Sequence, residues 1–263
     1  MHFSLISLFP EAFNALLENG VIAGAYKKGL FQVSHHNPRD FVTSNYKSVD
    51  DEPYGGGDGM VMSYEPLKSA IAAAKAQNPR AKIVYLSPAG SPWSAKQAET
   101  YAKQKQDLIL IAGRYAGIDQ RIVHQYVDEE ISIGDYVVSG GELPAMILMD
   151  SILRHLPGVL GNLHSAKQDS FQAKLLEAPS FTRPEHTEGL SVPKTLLSGH
   201  HGKISQWRMS LQLLLTMQRR PDLLRPEQLS LEQQKLCKVF WQSTPEKERK
   251  LLGLEERFPW QES

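Results

Sequence analysis

Apolar positions along the first 156 residues alternate between two spacings. Short apolar-rich runs at Phe3–Leu8, Phe31–Ser34, Ile83–Leu86, Leu108–Ala112 and Glu129–Ile133 have the length of strands. Between them the spacing turns helical. Pro10 opens a helix that runs through Asn19, with Gly20 as its stop, and Gly24–Gly29 makes a second helical turn. Leu67, Ala70, Ile71 and Ala74 share one face of a helix over Tyr64–Gln77. Ser94–Lys105 and Ala145–Leu156 are further helices, the second with Met146, Leu148, Met149, Ile152 and Leu153 on its apolar side. Val49–Gly59 is a glycine-rich loop. Strands alternating with helices predict an α/β fold with a largely parallel sheet flanked by helices.

The pattern changes after residue 160. From Gly161 to Lys174 the chain is polar and loses its period, so 161–174 reads as a linker between a domain at 1–160 and a smaller one at 175–263. The second domain reads as helical. Ile204, Trp207, Leu211, Leu214 and Leu215 are in phase over Ile204–Arg220, and Pro221 ends that helix. Ser230 and Gln233 form a capping box for Leu231–Gln242. Pro245–Leu252 is a last short helix with Gly253 behind it.

Three of the predicted strands run into loops rich in glycine. Tyr85-Leu86-Ser87-Pro88-Ala89-Gly90 follows one, Ala112 to Asp119 (AGRYAGID) another, and Glu130 to Met146 (EISIGDYVVSGGELPAM) contains the third. Ser132, Gly134, Ser139, Gly140 and Gly141 leave backbone amides uncovered, which suits close approach of a ligand or of other backbone. Buried strands that end in such loops describe the carboxyl edge of a parallel sheet, where α/β proteins bind small ligands. There is no G-x-x-x-x-G-K-[ST], and Gly55-Gly56-Gly57-Asp58-Gly59 is not G-x-G-x-x-G and follows Pro53-Tyr54, not a strand. A P-loop and a dinucleotide fingerprint are both excluded.

Net charge is zero, but its distribution is uneven. Residues 1–150 hold 13 basic and 17 acidic side chains, residues 151–220 hold 9 and 4, and residues 221–263 hold 7 and 8. The basic middle block also carries His155, His164, His186, His200 and His201, and either solvation or a phosphate-facing strip accounts for it. Cys237 is the only cysteine, which excludes a disulfide framework and a cysteine-based zinc site; it reads as a buried, inert thiol. No apolar run spans a bilayer, and the amino terminus lacks a basic region ahead of its apolar part, so a cytoplasmic protein is expected. Adjacent His200 and His201 point in different directions with no third ligand at metal spacing, and read as the start of a helix. Asp169 and Arg154, taken alone, read as solvated surface charges.

Nine ordered segments resemble the bacterial tRNA (guanine-N1)-methyltransferases of the SPOUT superfamily. They are SLFPEAF at Ser7–Phe13, VDDEPYGGGDGMVM at Val49–Met62, YLSPAG at Tyr85–Gly90, GRYAGIDQR at Gly113–Arg121, the Glu130–Met146 segment, LPGVLG at Leu156–Gly161, Asp169-Ser170-Phe171, FTRPE at Phe181–Glu185 and SGHH at Ser198–His201. The resemblance covers Phe3 to about Leu224. It implies a trefoil-knotted sheet that binds S-adenosylmethionine, a homodimer, and methylation of guanosine 37 in tRNA with guanosine also at position 36. Carried over by position, the donor pocket is Tyr85, Leu86, Ser87, Pro88, Gly113, Tyr115, Gly117, Ser132, Ile133, Gly134, Tyr136, Val138, Gly140, Gly141 and Pro144. Asp169 becomes the general base and Arg154 the cation at guanine O6. Gly59, Ser170, His200, Lys203, Arg208, Arg219 and Arg220 are candidates for contact with the tRNA.

The chain departs from the family pattern at Ala116, where a glutamate linked to a Mg²⁺ requirement is usual. Asp58 replaces an uncharged residue and Ser180-Phe181 a His-Tyr pair. Ala116 weakens the case for Mg²⁺ here or moves it to other ligands, and it motivates one alternative, a donor- and tRNA-binding protein with weakened catalysis; the other alternative is another knotted RNA methyltransferase.

Overall fold

The computed structural model describes residues 1–43, 48–161 and 169–260. Half of the expected linker, 162–168, lies outside the described residues, as does His164. The chain divides into two compact units, 1–166 and 167–263.

The first unit is built on a five-stranded sheet in the order β2-β1-β6-β5-β7, every pair parallel. The strands are β1 (His2–Ile6), β2 (Gln32–His36), β5 (Lys82–Pro92), β6 (Leu108–Ile111) and β7 (Glu129–Ser132). Side chains of successive residues alternate between the faces of the sheet. Phe3 and Leu5, Val84 and Leu86, and Leu108 and Leu110 enter one apolar cluster; Ile6, Ile83, Tyr85, Ile109 and Ile111 enter the other. Helices α1 (Asn14–Leu17), α2 (Gly20–Lys27), α4 (Ala95–Gln104) and α6 (Glu142–Leu153) cover the first face. Helices α3 (Tyr64–Gln77) and α5 (Gln120–Tyr126) cover the second. Burial on both sides explains the unbroken Leu108–Ile111 run, each residue contributing about 2 kcal/mol of apolar burial.

Several expectations shift. The helix expected from Pro10 to Asn19 is a 3-10 turn, Pro10–Phe13, followed by the four-residue α1. Gly20 is not its stop but the start of α2, with extended Asn19 as the N-cap. The break lets Leu17 and Ile22 both reach the same core. The Val49–Gly59 loop is bracketed by a small antiparallel ribbon, β3 (Asp50–Asp51) with β4 (Val61–Met62). Helix α5 was not expected, because among its seven residues only Ile122 is buried. Helix α6 starts three residues before Ala145, at Glu142.

The second unit contains helices Lys194–Leu197, His201–Arg219, Leu231–Ser243 and Glu246–Leu251. Its core gathers Trp207, Leu211, Leu214, Leu215, Cys237 and Phe240. The Ser230–Gln233 capping box is present. Cys237 is fully buried, and burial pushes its thiol up to about 12. The unit is not only helical: β8 (His186–Thr187) and β9 (Leu190–Ser191) form a hairpin whose turn, Glu188-Gly189, has both residues at positive φ. Among the described residues no helix is long and apolar enough to cross a membrane.

One consequence for stability sits at the edge of the sheet. Burial holds the imidazoles of His35 and His36 below the ordinary histidine value; Glu11 opposes this at His35, and a hydrogen bond to Gln77 opposes it at His36. The folded state therefore favours neutral rings, while the unfolded chain takes up protons near pH ~6.5. Stability should be complete above that pH and fall as pH drops through the lowered folded values. Denaturation midpoints from pH 8 to 5 should show the decline, with a smaller slope in His36→Gln. A flat profile in both proteins would contradict it.

Candidate active site

Strands β6, β5 and β7 are neighbours in the sheet, so the loops at their carboxyl ends must emerge side by side. Each loop is shaped by backbone contact. Along β5, Leu86 and Ser91 both pair with Ile131, so residues 87–90 leave the ladder as an excursion. Gly90 lies directly on the backbone of Glu130 and Ile131, where a Cβ has no room. Ala89 donates its N–H to Ser87 Oγ at 3.2 Å and closes the excursion.

The loop after β6 sits on Tyr85, which is buried, with its ring under Gly113 and its hydroxyl near Gly117. Burial first, and Glu130 second, push the Tyr85 phenol above its ordinary value, so it is a neutral hydrogen-bonding group. Tyr115 is half exposed at φ +60. The ribbon's end runs alongside: Ala116 N–H donates to Met60 O at 2.9 Å, and Met62 N–H to Gly117 O at 3.0 Å. This brings Gly59 beside Ala116, so the four-glycine loop flanks the β6 loop.

The loop after β7 folds on itself. Ser132 Oγ accepts from Gly134 N–H at 3.2 Å, and Tyr136 Oη donates to Ile133 O at 3.3 Å. It then returns to β6, where Gly141 N–H donates to Gly113 O at 2.8 Å. A Cβ on Gly141 would stand 2.6 Å from Ala112 Cα and 2.8 Å from Gly113 N. Pro144 is buried in the first turn of α6 behind this contact.

A buried charge pair ties the loops together. Glu142 is 2% exposed, and its Oε1 accepts from Ser7 Oγ at 2.7 Å. Its Oε2 stands 2.9 Å from Arg114 Nε, off the line that a hydrogen bond needs, so the contact is one of charge. Arg114 also donates to Ser139 O at 3.2 Å and lies over the Phe9 ring at 4.5 Å. Ser7, Phe9, Arg114 and Glu142 were not among the expected site residues. They lie far apart in sequence, and their only signal was that Ser7 and Phe9 fall within SLFPEAF, Arg114 within GRYAGIDQR and Glu142 within the Glu130–Met146 segment.

Among the described residues no three His, Cys, Asp or Glu side chains group to hold a metal ion. Asp119, the acid nearest Ala116 in sequence, caps α5 through Arg121 N–H at 2.8 Å and pairs with the Arg121 guanidinium at 2.6 Å. Its hydrogen bond to Arg121 holds the carboxyl below the usual range. With Ala116 offering no ligand and Asp119 engaged, these residues do not fit a Mg²⁺ site.

A family profile described as tRNA (guanine-1)-methyltransferase TrmD matches residues 1–226. The chain belongs to that family. A tRNA (guanine-N(1)-)-methyltransferase of Marinomonas sp. is 52% identical over 244 residues, covering 93% of this chain and 97% of the relative. The protein of the same name from Shewanella woodyi is 51% identical, covering 94% and 99%. That from Pseudomonas entomophila is 50% identical, covering 90% and 94%.

The positions expected to line a donor pocket, from Tyr85 to Pro144, fall on β5, on the end of β7, on the loops that follow β6 and β7, and on the start of α6. Arg154 is exposed at the C-cap of α6. Asp169, Ser170, His200, Lys203, Arg208, Arg219 and Arg220 belong to the second unit. His200 caps helix His201–Arg219, its Nδ1 accepting from Lys203 N–H at 3.3 Å. Lys203 and Arg208 are exposed on that helix. Arg219 donates to Gly253 O at 2.9 Å, and Arg220 pairs with Asp222 at 2.6 Å, so both serve their own unit.

Proposed function

We propose that this tRNA (guanine-N1)-methyltransferase transfers the methyl group of S-adenosylmethionine to N1 of guanosine 37 in tRNAs that also carry guanosine at position 36. The observation that carries the reading is the backbone-to-backbone meeting of the three loops at Gly90, Gly113 and Gly141. Backbone amides and carbonyls of these glycine-rich loops suit the edge of an adenine, while Leu86, Ile133 and Val138 supply apolar surface for its faces. When bound, the donor supplies a methyl group on positively charged sulfur, already activated for transfer. A trefoil knot through these loops is part of the proposal.

The chain's own residues have two tasks. Guanine N1 carries a proton, and its lone pair is tied into the ring. Removing the proton moves negative charge towards O6. Asp169 takes the proton, and the guanidinium of Arg154 stabilises the charge at O6. No step is assigned to a metal. The second unit, with Lys203, Arg208 and His200 along one helix, grips the tRNA backbone. Use of tRNA puts the enzyme in the cytoplasm.

A second copy of the chain completes the site in this reading. Helix α6 buries Leu148, Met149, Ile152 and Leu153 yet leaves Leu143 and Ile147 about half exposed, and Val137 just before it is 85% exposed. Such an apolar surface fits a partner. The partner supplies Asp169 to the pocket. Mixed dimers test this. One subunit carries Asp169→Ala and the other Gly141→Val, each inactive alone. The mixed dimer retains one intact pocket served by one normal Asp169, and should recover about half of wild-type activity. Inactive mixed dimers that still bind one donor each would contradict a shared site.

A further inference from the structure

The segment that carries Asp169 is held in an unusual backbone. Phe171, Ala173 and Lys174 have φ of +73, +50 and +61, three left-handed residues without a glycine among them. Residues persist in that region only where their surroundings over-determine them. Local hydrogen bonds account for part of the hold: Phe171 N–H donates to Leu175 O at 2.6 Å, and Glu177 N–H to Ser170 Oγ at 3.0 Å.

Further contacts come from the far end of helix His201–Arg219. Thr216 is fully buried among leucines and Met217. Its hydroxyl donates to Gln212 O at 2.6 Å and accepts from Leu176 N–H at 2.8 Å. Four residues on, the Arg220 guanidinium lies 5.6 Å from the centre of the Phe171 ring. Asp222 fixes that guanidinium with two hydrogen bonds, at 2.8 and 2.6 Å. One face of the helix end thus holds both Leu176 and Phe171.

We infer that Thr216 and Arg220 are positioning residues for methyl transfer, holding segment 169–177 in the conformation that presents Asp169 to the guanine. The inference rests on Asp169 being the base. It gives Arg220 a role distinct from contact with RNA. It also makes helix His201–Arg219 a rigid connection between the exposed Lys203 and Arg208 and the reacting carboxylate.

The test is single-turnover methyl transfer at saturating tRNA and S-adenosylmethionine, with the dissociation constant of each measured separately. Thr216→Val and Arg220→Met should each slow the step by ~10- to 100-fold through misplacement of the base, with both dissociation constants within about twofold of wild type. Thr216→Ser keeps the hydroxyl and should restore the rate. Loss confined to tRNA affinity, an unchanged rate, or Thr216→Ser as slow as Thr216→Val with all variants folded would overturn the inference. An Asp169→Asn background separates it from the underlying reading. Wild-type turnover by Asp169→Asn alone would remove Asp169 as the base. If Asp169→Asn is slow, Thr216→Val should add nothing further, and an additional loss would overturn the positioning role alone.

Discussion

Gly141→Val is expected to abolish binding of S-adenosylmethionine. The new Cβ would stand 2.6 Å from Ala112 Cα and 2.8 Å from Gly113 N. These are backbone atoms continuous with buried β6, so they cannot swing aside as a side chain would. Relief requires the β7 loop to withdraw, which breaks the hydrogen bond from Gly141 to Gly113 O. Overpacking costs about 1–3 kcal/mol and a lost hydrogen bond about 1 more. A loss of that size, about 2–4 kcal/mol, weakens the donor by ~30- to ~1,000-fold. Gly24→Ala is the control: nothing lies within 4 Å of its added Cβ inside helix α2, so donor affinity should not change. Calorimetry with thermal melts checks both. Wild-type affinity in folded Gly141→Val would contradict the convergence of loops as the donor site.

Asp169→Asn is expected to have the opposite signature. It preserves size and most hydrogen bonding but cannot accept the N1 proton. Turnover should fall by ~10²- to 10⁴-fold, the usual worth of a positioned base. Donor affinity should stay within about twofold, because the pocket residues belong to the other unit. Equal loss of both quantities would mean that Asp169 supports the fold or the pocket and not the proton transfer. Normal turnover would mean that the base lies elsewhere.

The parts of the fold legible in the sequence are those where one physical demand dominates. Leu108–Ile111 and Ile83–Leu86 read as strands because burial on both faces excludes polar residues. Ser230 and Gln233 read as a cap because the reciprocal hydrogen bonds need only local geometry. Helix α5 was illegible because Ile122 is the only one of its seven residues that is fully buried, and the Glu188–Gly189 hairpin because its strands are two residues long and exposed. The site divides the same way. Its glycines were visible, but their reason is tertiary: Gly90 touches Glu130 and Ile131, and Gly141 touches Ala112 and Gly113, contacts that no local pattern contains. The Arg114–Glu142 pair with Ser7 joins three segments that are brought together only by the order of the strands. The roles proposed for Asp169 and Arg154 rest on family resemblance alone, since an isolated acid or arginine carries no sign of its chemistry.

The central claim is the atom that receives the methyl group. The direct measurement is incubation of the enzyme with S-adenosylmethionine and an unmodified tRNA bearing guanosine at positions 36 and 37, followed by nuclease digestion and mass mapping. The account predicts a single methyl group on N1 of guanosine 37, and none when guanosine 37 is replaced by adenosine. Methyl on a ribose oxygen, at another nucleotide, or absent from a tRNA that the enzyme binds would contradict it.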